Sequence, residues 1–480
     1  MSGVNLAAAV KQKALEIGFD LVGIAPLGVW EDLKFSRQWV ERGYGGEMRY
    51  LRNPKRDDPR SLLPSAKSVI CVGLVYNTAY PYSTQAAQEG SRQKAVGSKQ
   101  KPERRQGEEA PRPVSSFEFR LSAADDSPRA WISRYAWGQD YHGLLRAKLE
   151  QLRAAVENLG PRVETRAYVD TGPVVECAFA RHSGMGWMGK NTCIINEGKG
   201  SWFFLGVMLV NLELAPDLPA PDRCGSCTRC LEACPTGALV EPYVMNASRC
   251  ISYFTIELSG SIPEEFRSRI GANVFGCDIC QDVCPWNSRE RFQVSGDRGQ
   301  EKTPSGPLQH KEVNEVAQAH SLGPSVNEAG FPSRPSPPVG ETVPRLVGAG
   351  EGVAPDKGTT NNRRPAATTL LPQFQPLVIG MPSTEHPSQL TTRDGQPTTE
   401  TLFHPPLEAL AALTEDDFHR LFARSPIKRT KYRGWLRNLC VVMANSGDRR
   451  FVPWLERAAR HPDPIIREHA AWALEHLHRT

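Results

Sequence analysis

The run Cys224-Gly-Ser-Cys227-Thr-Arg-Cys230-Leu-Glu-Ala-Cys234-Pro235 decides how the middle of this chain folds. Its cysteines are separated by two, two and three residues and are followed by proline, which is the ligand pattern of a cubane 4Fe–4S cluster. A second run, Cys277-Asp-Ile-Cys280-Gln-Asp-Val-Cys284-Pro285, lies downstream, and Cys250 stands alone between the two. Together the runs supply the eight thiolates that two such clusters require.

The ligand sets of the two clusters follow from the same pattern. In two-cluster proteins of this type the last cysteine of each run reaches across to the other cluster. The first predicted cluster therefore takes Cys224, Cys227, Cys230 and Cys284, and the second takes Cys234, Cys250, Cys277 and Cys280. Structural zinc is the alternative, because paired Cys-x-x-Cys motifs often hold it. Zinc requires neither a third cysteine at this spacing nor the proline after the last one.

Length and composition indicate a multidomain protein of the cytoplasm. The 480 residues suit two or three domains, and a net charge of +5 is too mild to demand a nucleic-acid partner by itself. We see no secretion signal, and the longest apolar stretch, residues 202–210, is too short to cross a bilayer. Disulfides are not expected in such a chain. The remaining cysteines are scattered and predicted to be small buried side chains: Cys71, Cys177, Cys193 and Cys440.

Residues 1–215 are predicted to form an α/β core, because strand-like and helix-like segments alternate along them. Predicted strands cover residues 21–24, 69–75, 165–169, 193–196 and 202–212, and one predicted helix has an apolar face through Leu145, Leu149, Leu152 and Val156. Residues 81–128, approximately, contain few apolar side chains. Such a segment buries too little surface to offset its ordering entropy, so we predict a disordered insertion.

The glycine-rich run 184–191 imitates two nucleotide-binding motifs. It contains Gly-x-Gly-x-x-Gly, and it differs from a Walker A loop by one residue, since Asn191 stands where serine or threonine would bind magnesium. Both motifs need a strand before the glycines and a helix after them. Here a predicted helix precedes and strand-like residues follow, which argues against nucleotide binding. A close approach to another large cofactor and a plain tight turn both remain open.

The C-terminal third divides into a linker and a helical region. Residues 293–402 are rich in Pro, Gly, Ser and Thr and are predicted to be a disordered linker, and residues 403–480 are predicted to be helical. The stretch 424–437 is basic, lacks acidic residues and includes Tyr432 and Trp435, which suits either a solvated helix face or RNA binding. The last helix, with Asp463 as N-cap and Pro464 at its first position, has an apolar face typical of HEAT repeats.

Several pieces of the chain resemble the epoxyqueuosine reductases, cobalamin-dependent enzymes that finish queuosine synthesis in tRNA. The likeness covers most of residues 5–80, 129–292 and 405–480, and the two polar segments depart from it. The matching pieces are Tyr168-Val-Asp-Thr-Gly172, part of Gly189-Lys190-Asn191, residues 224–239, Arg249-Cys-Ile-Ser252, Gly276-Cys-Asp278, and Ile466-Arg with Ala470-Ala-Trp-Ala473. Their combination is more specific than the cysteine runs, which many redox proteins share.

The resemblance implies a fold and an activity. The fold would be a cobalamin-binding α/β or α+β core (1–215), an inserted ferredoxin-like two-cluster domain (216–292), the linker, and a HEAT-like helical tRNA-binding region (403–480). The activity would be two-electron deoxygenation of epoxyqueuosine at the tRNA wobble position, with electrons passing through both clusters to cobalamin. Asp170 would be the proton donor, which requires desolvation to raise its pKa. Without the resemblance, Asp170 reads as a helix N-cap.

The resemblance also implies binding residues, and each has an ordinary structural alternative. Cobalamin would be bound base-off without a histidine ligand, because the chain lacks Asp-x-His-x-x-Gly and Asp140-Tyr-His142 only approaches it. Positions matching cobalamin contacts are Arg56, Asp170, Ile194, Leu205, Ser252 and Asp278, for which the alternatives are core packing or capping. The tRNA-binding candidates are Lys428, Arg429, Lys431, Arg433 and Arg437.

Two other functions compete with this interpretation. One is a cobalamin and iron–sulfur reductive dehalogenase, although such enzymes usually carry a twin-arginine export signal and lack a basic helical tail. The other is a ferredoxin-like electron carrier, which does not need the roughly two hundred residues before the cysteines. The expected partners are tRNA and an unidentified reductant, with no membrane, and a monomer is expected.

Overall fold

The computed structural model describes residues 3–28, 30–85, 127–287, 372–376 and 402–479. Most of the predicted disordered insertion and most of the predicted linker lie outside these residues. None of the described helices has the length and apolar character needed to span a membrane.

A four-stranded antiparallel sheet organises the N-terminal half, in the order β1-β2-β7-β4. Its strands are β1 (Leu21–Pro26), β2 (Ser68–Val75), β4 (Thr165–Tyr168) and β7 (Phe203–Val210). Every residue of β2 is buried, as expected for a central strand with both faces covered. The alternation of strands and helices suggested an α/β core, but antiparallel pairing throughout gives the α+β arrangement instead.

Helices cover both faces of this sheet. They are α1 (Gly3–Ile17), α2 (Glu31–Glu41), α3 (Tyr141–Glu157) and α4 (Glu176–His182). Helix α3 buries Leu145, Leu149, Leu152 and Val156, the face that its apolar spacing predicted, in a cluster shared with α1. Helix α4 packs Phe179 and Ala180 against the opposite face. The loop between β4 and α4 therefore leaves the sheet at the C-terminal end of an edge strand.

The cysteine-rich region consists of short elements joined to the core. They are β5 (Trp187–Met188), β6 (Ile194–Ile195), α5 (Arg229–Ala233), β8 (Leu239–Glu241), β9 (Val244–Met245), α6 (Glu264–Arg267), β10 (Asn273–Phe275) and α7 (Ile279–Asp282). A π-helical turn spans Tyr253–Glu257. Strand β10 pairs in parallel with β3 (Trp131–Ile132), so the chain before the cysteines completes a sheet with the chain around them.

The C-terminal helices share a hydrophobic core with the cysteine-rich region. They are α8 (Leu407–Ala411), α9 (Glu415–Leu421), α10 (Lys431–Asn445), α11 (Val452–Ala458) and α12 (Pro464–Arg479). One buried cluster includes Trp131, Phe254, Trp435 and Ala470, which come from three of the predicted domains. Asp463 Oδ1 accepts a hydrogen bond from Ile465 N at 2.8 Å, which confirms the predicted N-cap of α12.

Two short stretches near the predicted disorder are packed against the core. Tyr82 is 7% exposed, so the chain is still ordered at the predicted start of the insertion. Within the predicted linker, Pro372–Phe374 forms a 3-10 turn whose Phe374 packs against Phe204, with ring centroids 5.4 Å apart. A Cβ on Gly138 would lie 2.1 Å from Gln373 O, so only glycine admits this segment. The prediction of a structureless linker is wrong for this stretch.

Candidate active site and cluster-binding region

Asp170 lies in a tight turn directly after β4. Its φ of +51° is in the left-handed region, which is uncommon for residues other than glycine and costs about 1 kcal/mol or more. Thr171 N donates a hydrogen bond to Val169 O at 2.5 Å and closes the turn. Helix α4 begins only at Glu176 and Val175 is its N-cap, so the N-cap alternative for Asp170 is wrong. Backbone strain at a carboxylate without a capping role is typical of a functional residue.

The first two residues of α3 hold the Asp170 carboxylate. Tyr141 Oη donates to Asp170 Oδ2 at 2.9 Å, and His142 Nε2 lies 3.1 Å from the same oxygen. His142 Nδ1 lies 2.6 Å from Oδ1 of Asp140, the N-cap of α3. The imidazole is therefore clamped between two carboxylates. The Asp170 side chain remains 47% exposed, so a substrate can reach it.

The two carboxylates keep a proton on His142. Burial by itself would lower the pKa of His142, but hydrogen bonds and charges from Asp140 and Asp170 raise it to about 9. Burial would raise the pKa of Asp170, but hydrogen bonds from His142 and Tyr141, with the charges of His142 and Arg429, lower it below the ordinary range. Burial therefore acts in the expected direction, but the pKa of Asp170 is lowered overall, so the expectation of a raised pKa is wrong in this state. At neutral pH the proton resides on His142.

A charged wall faces Asp170 from the C-terminal region. Arg429 Nη1 lies 3.9 Å from Asp170 Oδ2, and its Nε lies 2.7 Å from Glu257 Oε1. The Arg429 guanidinium stands 5.8 Å from the centre of the Tyr50 ring. On the other side of the turn, Arg56 Nη1 donates to Gly172 O at 3.4 Å. Asp170, Arg429, Glu257, Tyr50 and Arg56 thus form a polar surface around the exposed carboxylate, called the Asp170 surface below.

Glu176 is a half-buried carboxyl beside the Asp170 turn that sequence reasoning missed. Its Oε1 is buried and has no hydrogen-bond partner among the described residues. Burial and the charge of Asp170 outweigh the charge of Arg56 and together raise the pKa of Glu176 to about 8. Glu176 is therefore protonated and neutral at pH 7. A glutamate in the first turn of a helix gives no sequence signal of such a site, because helix N-termini commonly attract acidic residues.

Four cysteines line one small cavity in the cysteine-rich region. They are Cys224, Cys227, Cys230 and Cys284, and the cavity measures about 90 Å³. Burial and the charges of Cys224, Cys230 and Cys227 together raise the pKa of Cys284 to about 11. The last cysteine of the second run thus lies among the first three of the first run, as crossed ligation requires.

The other four cysteines form a second group. Burial raises the pKa of the Cys277 thiol well above its usual range, and the charges of Cys250 and Cys234 add to the rise. Burial raises the pKa of Cys280 in the same way, and the charges of Cys193, Cys277, Cys250 and Cys234 add to the rise, so Cys193 lies beside this group. No three described His, Cys, Asp or Glu side chains converge closely enough to hold a single metal ion. The chemistry of four thiols around each site fits the larger 4Fe–4S cube.

The remaining cobalamin candidates lie in the apolar core and around the second thiol group. Ile194 (4% exposed) is packed in the apolar cluster beneath β7, and Leu205 lies partly buried on it. Ser252 hydrogen-bonds the Cys250 thiol. Asp278 is buried and accepts hydrogen bonds from Trp131 Nε1 at 3.0 Å and Ser133 Oγ at 2.5 Å. Asp278 therefore has a structural role in joining β3 to the Cys277 loop.

The structure separates the five tRNA-binding candidates. Lys428, Arg429, Lys431 and Arg433 are exposed, and Lys428 Nζ lies 2.9 Å from Asp140 Oδ2. Arg437 is 1% exposed and donates to Leu258 O at 2.7 Å and Gly260 O at 2.8 Å. Its prediction as an RNA contact is wrong, because it holds the end of the π-helical turn. Trp435 is fully buried as well, so it cannot stack on a base.

Comparison with known proteins identifies the family. The family model described as 4Fe-4S double cluster binding domain matches residues 223–287, and the one described as Epoxyqueuosine reductase QueG, DUF1730 matches residues 115–171. An epoxyqueuosine reductase of Synechocystis sp. is 42% identical over 272 residues, which are 56% of this chain and 80% of that protein. The chain belongs to the epoxyqueuosine reductase family. It is therefore an oxidoreductase with a domain that binds two 4Fe–4S clusters.

Solved structures of epoxyqueuosine reductases extend the likeness to the whole fold. One, determined with an epoxyqueuosine-modified tRNA-Tyr stem loop, has a TM-score of 0.64 and 25% identity, covering 98% of this chain and 90% of that one. Another, from Bacillus subtilis, has an aspartate catalytic loop swung out of the active site, with a TM-score of 0.63, 25% identity and the same coverage.

Proposed function

We propose that this chain reduces epoxyqueuosine to queuosine at the wobble position of tRNA. The observation that carries the proposal is the set of contacts at Asp170. A protonated His142 holds the carboxylate from one side, and the exposed basic run reaches it through Arg429. Glu257, from the π-helical turn of the cysteine-rich region, pairs with the same Arg429. A proton source and an RNA-binding charge thus meet at one half-exposed carboxylate.

The clusters would carry the electrons. We propose Cys224, Cys227, Cys230 and Cys284 as ligands of one cluster and Cys234, Cys250, Cys277 and Cys280 as ligands of the other. The thiol grouping supports this crossed assignment. Removing the epoxide oxygen with formation of an alkene and water takes up two electrons and two protons. Because each cluster transfers single electrons, two passages complete one turnover.

Cobalamin would bind against the Asp170 surface. The exposed carboxylate and the guanidinium groups of Arg56 and Arg429 are polar groups that can hydrogen-bond the amide side chains of such a cofactor. Both ring nitrogens of His142 are engaged by carboxylates, which agrees with a cofactor lacking a histidine ligand. Arg56, Ile194, Leu205 and Ser252 would hold the cofactor with Asp170. When bound, cobalamin would supply the reducing electrons to the epoxide.

Asp170 and His142 would supply the proton to the departing oxygen. An oxygen that leaves carbon as an alkoxide must be protonated, and a positioned acid accelerates that step by about 10²–10⁴-fold. The imidazolium of His142 carries the proton at neutral pH and shares a 3.1 Å contact with Asp170. The proton can therefore pass to the exposed carboxylate when substrate charge develops beside it. Arg429 would attract the anionic substrate to the same point.

The domain organisation completes the proposal. We propose a catalytic core over residues 1–215, a two-cluster domain over 216–292, a linker over 293–402 and a tRNA-binding region over 403–480. HEAT-like stacking of the last helices is supported by the packing of α12 against both α10 and α11. Lys428, Arg429, Lys431 and Arg433 would contact the RNA. We further propose a cytoplasmic monomer supplied by a separate reductant.

The direct test is conversion of the modified nucleoside. The protein is reconstituted anaerobically with iron, sulfide and cobalamin, given a chemical reductant, and incubated with tRNA containing epoxyqueuosine. Digestion and mass spectrometry should then detect queuosine. If both clusters and cobalamin are bound and no queuosine forms, the proposal fails. Dehalogenation of an aryl halide under the same conditions would support the reductive-dehalogenase alternative, and turnover of neither substrate would support an electron carrier.

The pH dependence of turnover should report the proton on His142. Because its pKa is raised to about 9, His142 remains protonated at neutral pH and loses its proton above that value. The single-turnover rate should be steady from about pH 7 to 8.5 and fall about tenfold per pH unit well above 9. In His142→Gln the rate should be lower and the decline near pH 9 absent. An identical profile in both proteins would remove His142 from the proton pathway.

Neutralising the exposed part of the basic run should weaken tRNA binding. In the double variant Lys431→Gln with Arg433→Gln, the slope of log affinity against log salt should fall by about 1.5, since each phosphate contact contributes about 0.7–0.9. The matched control is Lys13→Gln with Lys34→Gln, which removes two exposed lysines from α1 and α2. Equal slopes in the variant and control would show that Lys431 and Arg433 lie on an ordinary solvated helix face and do not contact RNA.

A further inference from the structure

The glycine-rich run that imitates a nucleotide motif forms the tip of a small hairpin. Strands β5 and β6 pair antiparallel, and residues 189–193 make the turn between them. Gly189 N donates to Cys193 O at 2.8 Å, and Thr192 adopts a φ of +64°. A Cβ on Gly189 would lie 2.5 Å from Ile195 Cδ1, so the turn requires glycine there. No phosphate site is built; the turn instead directs Lys190 and Asn191 toward the cysteines.

Lys190 binds the loop of the first cysteine run. Its Nζ donates to Gly225 O at 2.6 Å and to Cys227 O at 3.0 Å. The residue is 9% exposed and lines the cavity formed by the first thiol group. Because both of these acceptors are neutral carbonyls, the ammonium brings a positive charge to the edge of the cavity.

Asn191 binds the loop of the other thiol group. Its Nδ2 donates to Cys280 O at 3.1 Å, and its Oδ1 accepts from Cys193 N at 3.2 Å. Two adjacent side chains on one turn therefore fasten the two cysteine loops to the same hairpin. This contact fixes the position of one loop relative to the other.

Trp187 places a buried N–H donor beside the first thiol group. The buried Trp187 Nε1 has no hydrogen-bond partner among the described residues. The apolar cluster around Trp187 also includes the partly buried Cys224. Trp187 is 2% exposed and packs against Cys284. A buried N–H group without an oxygen partner is expected beside a metal–sulfur centre, because it can donate to sulfur there.

We propose that this hairpin tip, residues 187–191, sets the reduction potential of the first cluster and holds both clusters in register. The inference rests on the binding of two clusters by this chain. Reduction adds negative charge to a cluster, and hydrogen bonds to sulfur and nearby positive charge stabilise that state. Lys190 and Trp187 are thus positioning residues, which raise the potential of the first cluster without ligating it.

The test is a redox titration followed by electron paramagnetic resonance on the reconstituted full chain, without substrate or cobalamin. In Lys190→Met the midpoint potential of the first cluster should become more negative. In Lys190→Arg, which keeps the positive charge, the midpoint potential should stay close to that of the parent. Trp187→Phe should move the same midpoint in the same direction. The matched control is Arg229→Met, an exposed cation lining the same cavity, whose charge solvent screens. It should give a clearly smaller shift.

The outcomes separate this inference from the proposed function. Unchanged midpoints in Lys190→Met, with iron content equal to the parent, would overturn the charge effect. If Lys190→Met loses iron, Trp187→Phe decides, and an unchanged midpoint there would overturn the inference. A Lys190→Met shift no larger than that of Arg229→Met would also overturn it. Because no turnover is measured, a failure to convert epoxyqueuosine leaves these potentials interpretable.

Discussion

Asp170→Asn should lower the rate of epoxyqueuosine reduction by about 10²–10⁴-fold while leaving both clusters bound. Asparagine keeps the shape of the side chain and one oxygen for Tyr141 and His142, but it cannot accept the proton from His142 and pass it on. Single-turnover kinetics, with nucleosides quantified by mass spectrometry, measure the loss. Iron content and tRNA affinity should remain within about twofold of the parent.

The matched control for this variant is Asp416→Asn. Asp416 is an exposed aspartate on α9 that does not belong to the Asp170 surface. Its replacement should change neither rate nor iron content. Loss of the pH dependence near 9 in Asp170→Asn would tie the effect to the shared proton. Parent-like turnover by Asp170→Asn would exclude the carboxylate from the reaction and leave His142 or Glu176 as the acid.

Paired cysteine replacements should reveal which thiols share a cluster. If ligation is crossed, Cys224→Ser with Cys284→Ser damages a single cluster, and about four irons per chain remain. Cys277→Ser with Cys284→Ser then damages both clusters, and little iron remains. The grouping of Cys284 with Cys224, Cys227 and Cys230 around one cavity is the reason for this expectation. Turnover should be abolished in both double variants, since the electron path is broken.

Iron and sulfide analysis with Mössbauer spectra distinguishes these results. Cys71→Ser with Cys440→Ser is the control, because both residues are fully buried, belong to neither thiol group and should leave both clusters intact. Ligation within each run would reverse the pattern: Cys277→Ser with Cys284→Ser would then spare one cluster. A protein that binds zinc and no iron in either form would contradict both arrangements.

Local patterns in the sequence predicted a large part of the fold. The predicted apolar face of α3 is the buried face, the predicted strand over residues 69–75 lies within β2, and Asp463 caps α12. Each depends on periodicity or capping within a few residues, where backbone geometry determines which way side chains point. The linker prediction failed at Phe374. Composition describes the average of a whole segment, whereas a single aromatic residue, Phe374, packs against Phe204.

The basic run shows what composition cannot distinguish. Arg437 and Trp435 share the stretch with Lys431 and Arg433, yet the first two are buried and the other two exposed. The stretch crosses from a 3-10 turn (Pro426–Thr430) into α10, and the helix turns successive side chains toward different neighbours. Which of them faces RNA therefore depends on what packs against α10.

The sequence by itself determined the family, the two cysteine runs and the identity of the aspartate turn. Ligand spacing within one loop and short motifs are local, so they can be recognised without knowledge of the fold. Only the tertiary structure brought His142 and Arg429 to Asp170 and Cys284 to the first thiol group. The protonation of Asp170 was misjudged for the same reason: a pKa sums burial, hydrogen bonds and charges from distant segments, and none of these is visible in a motif.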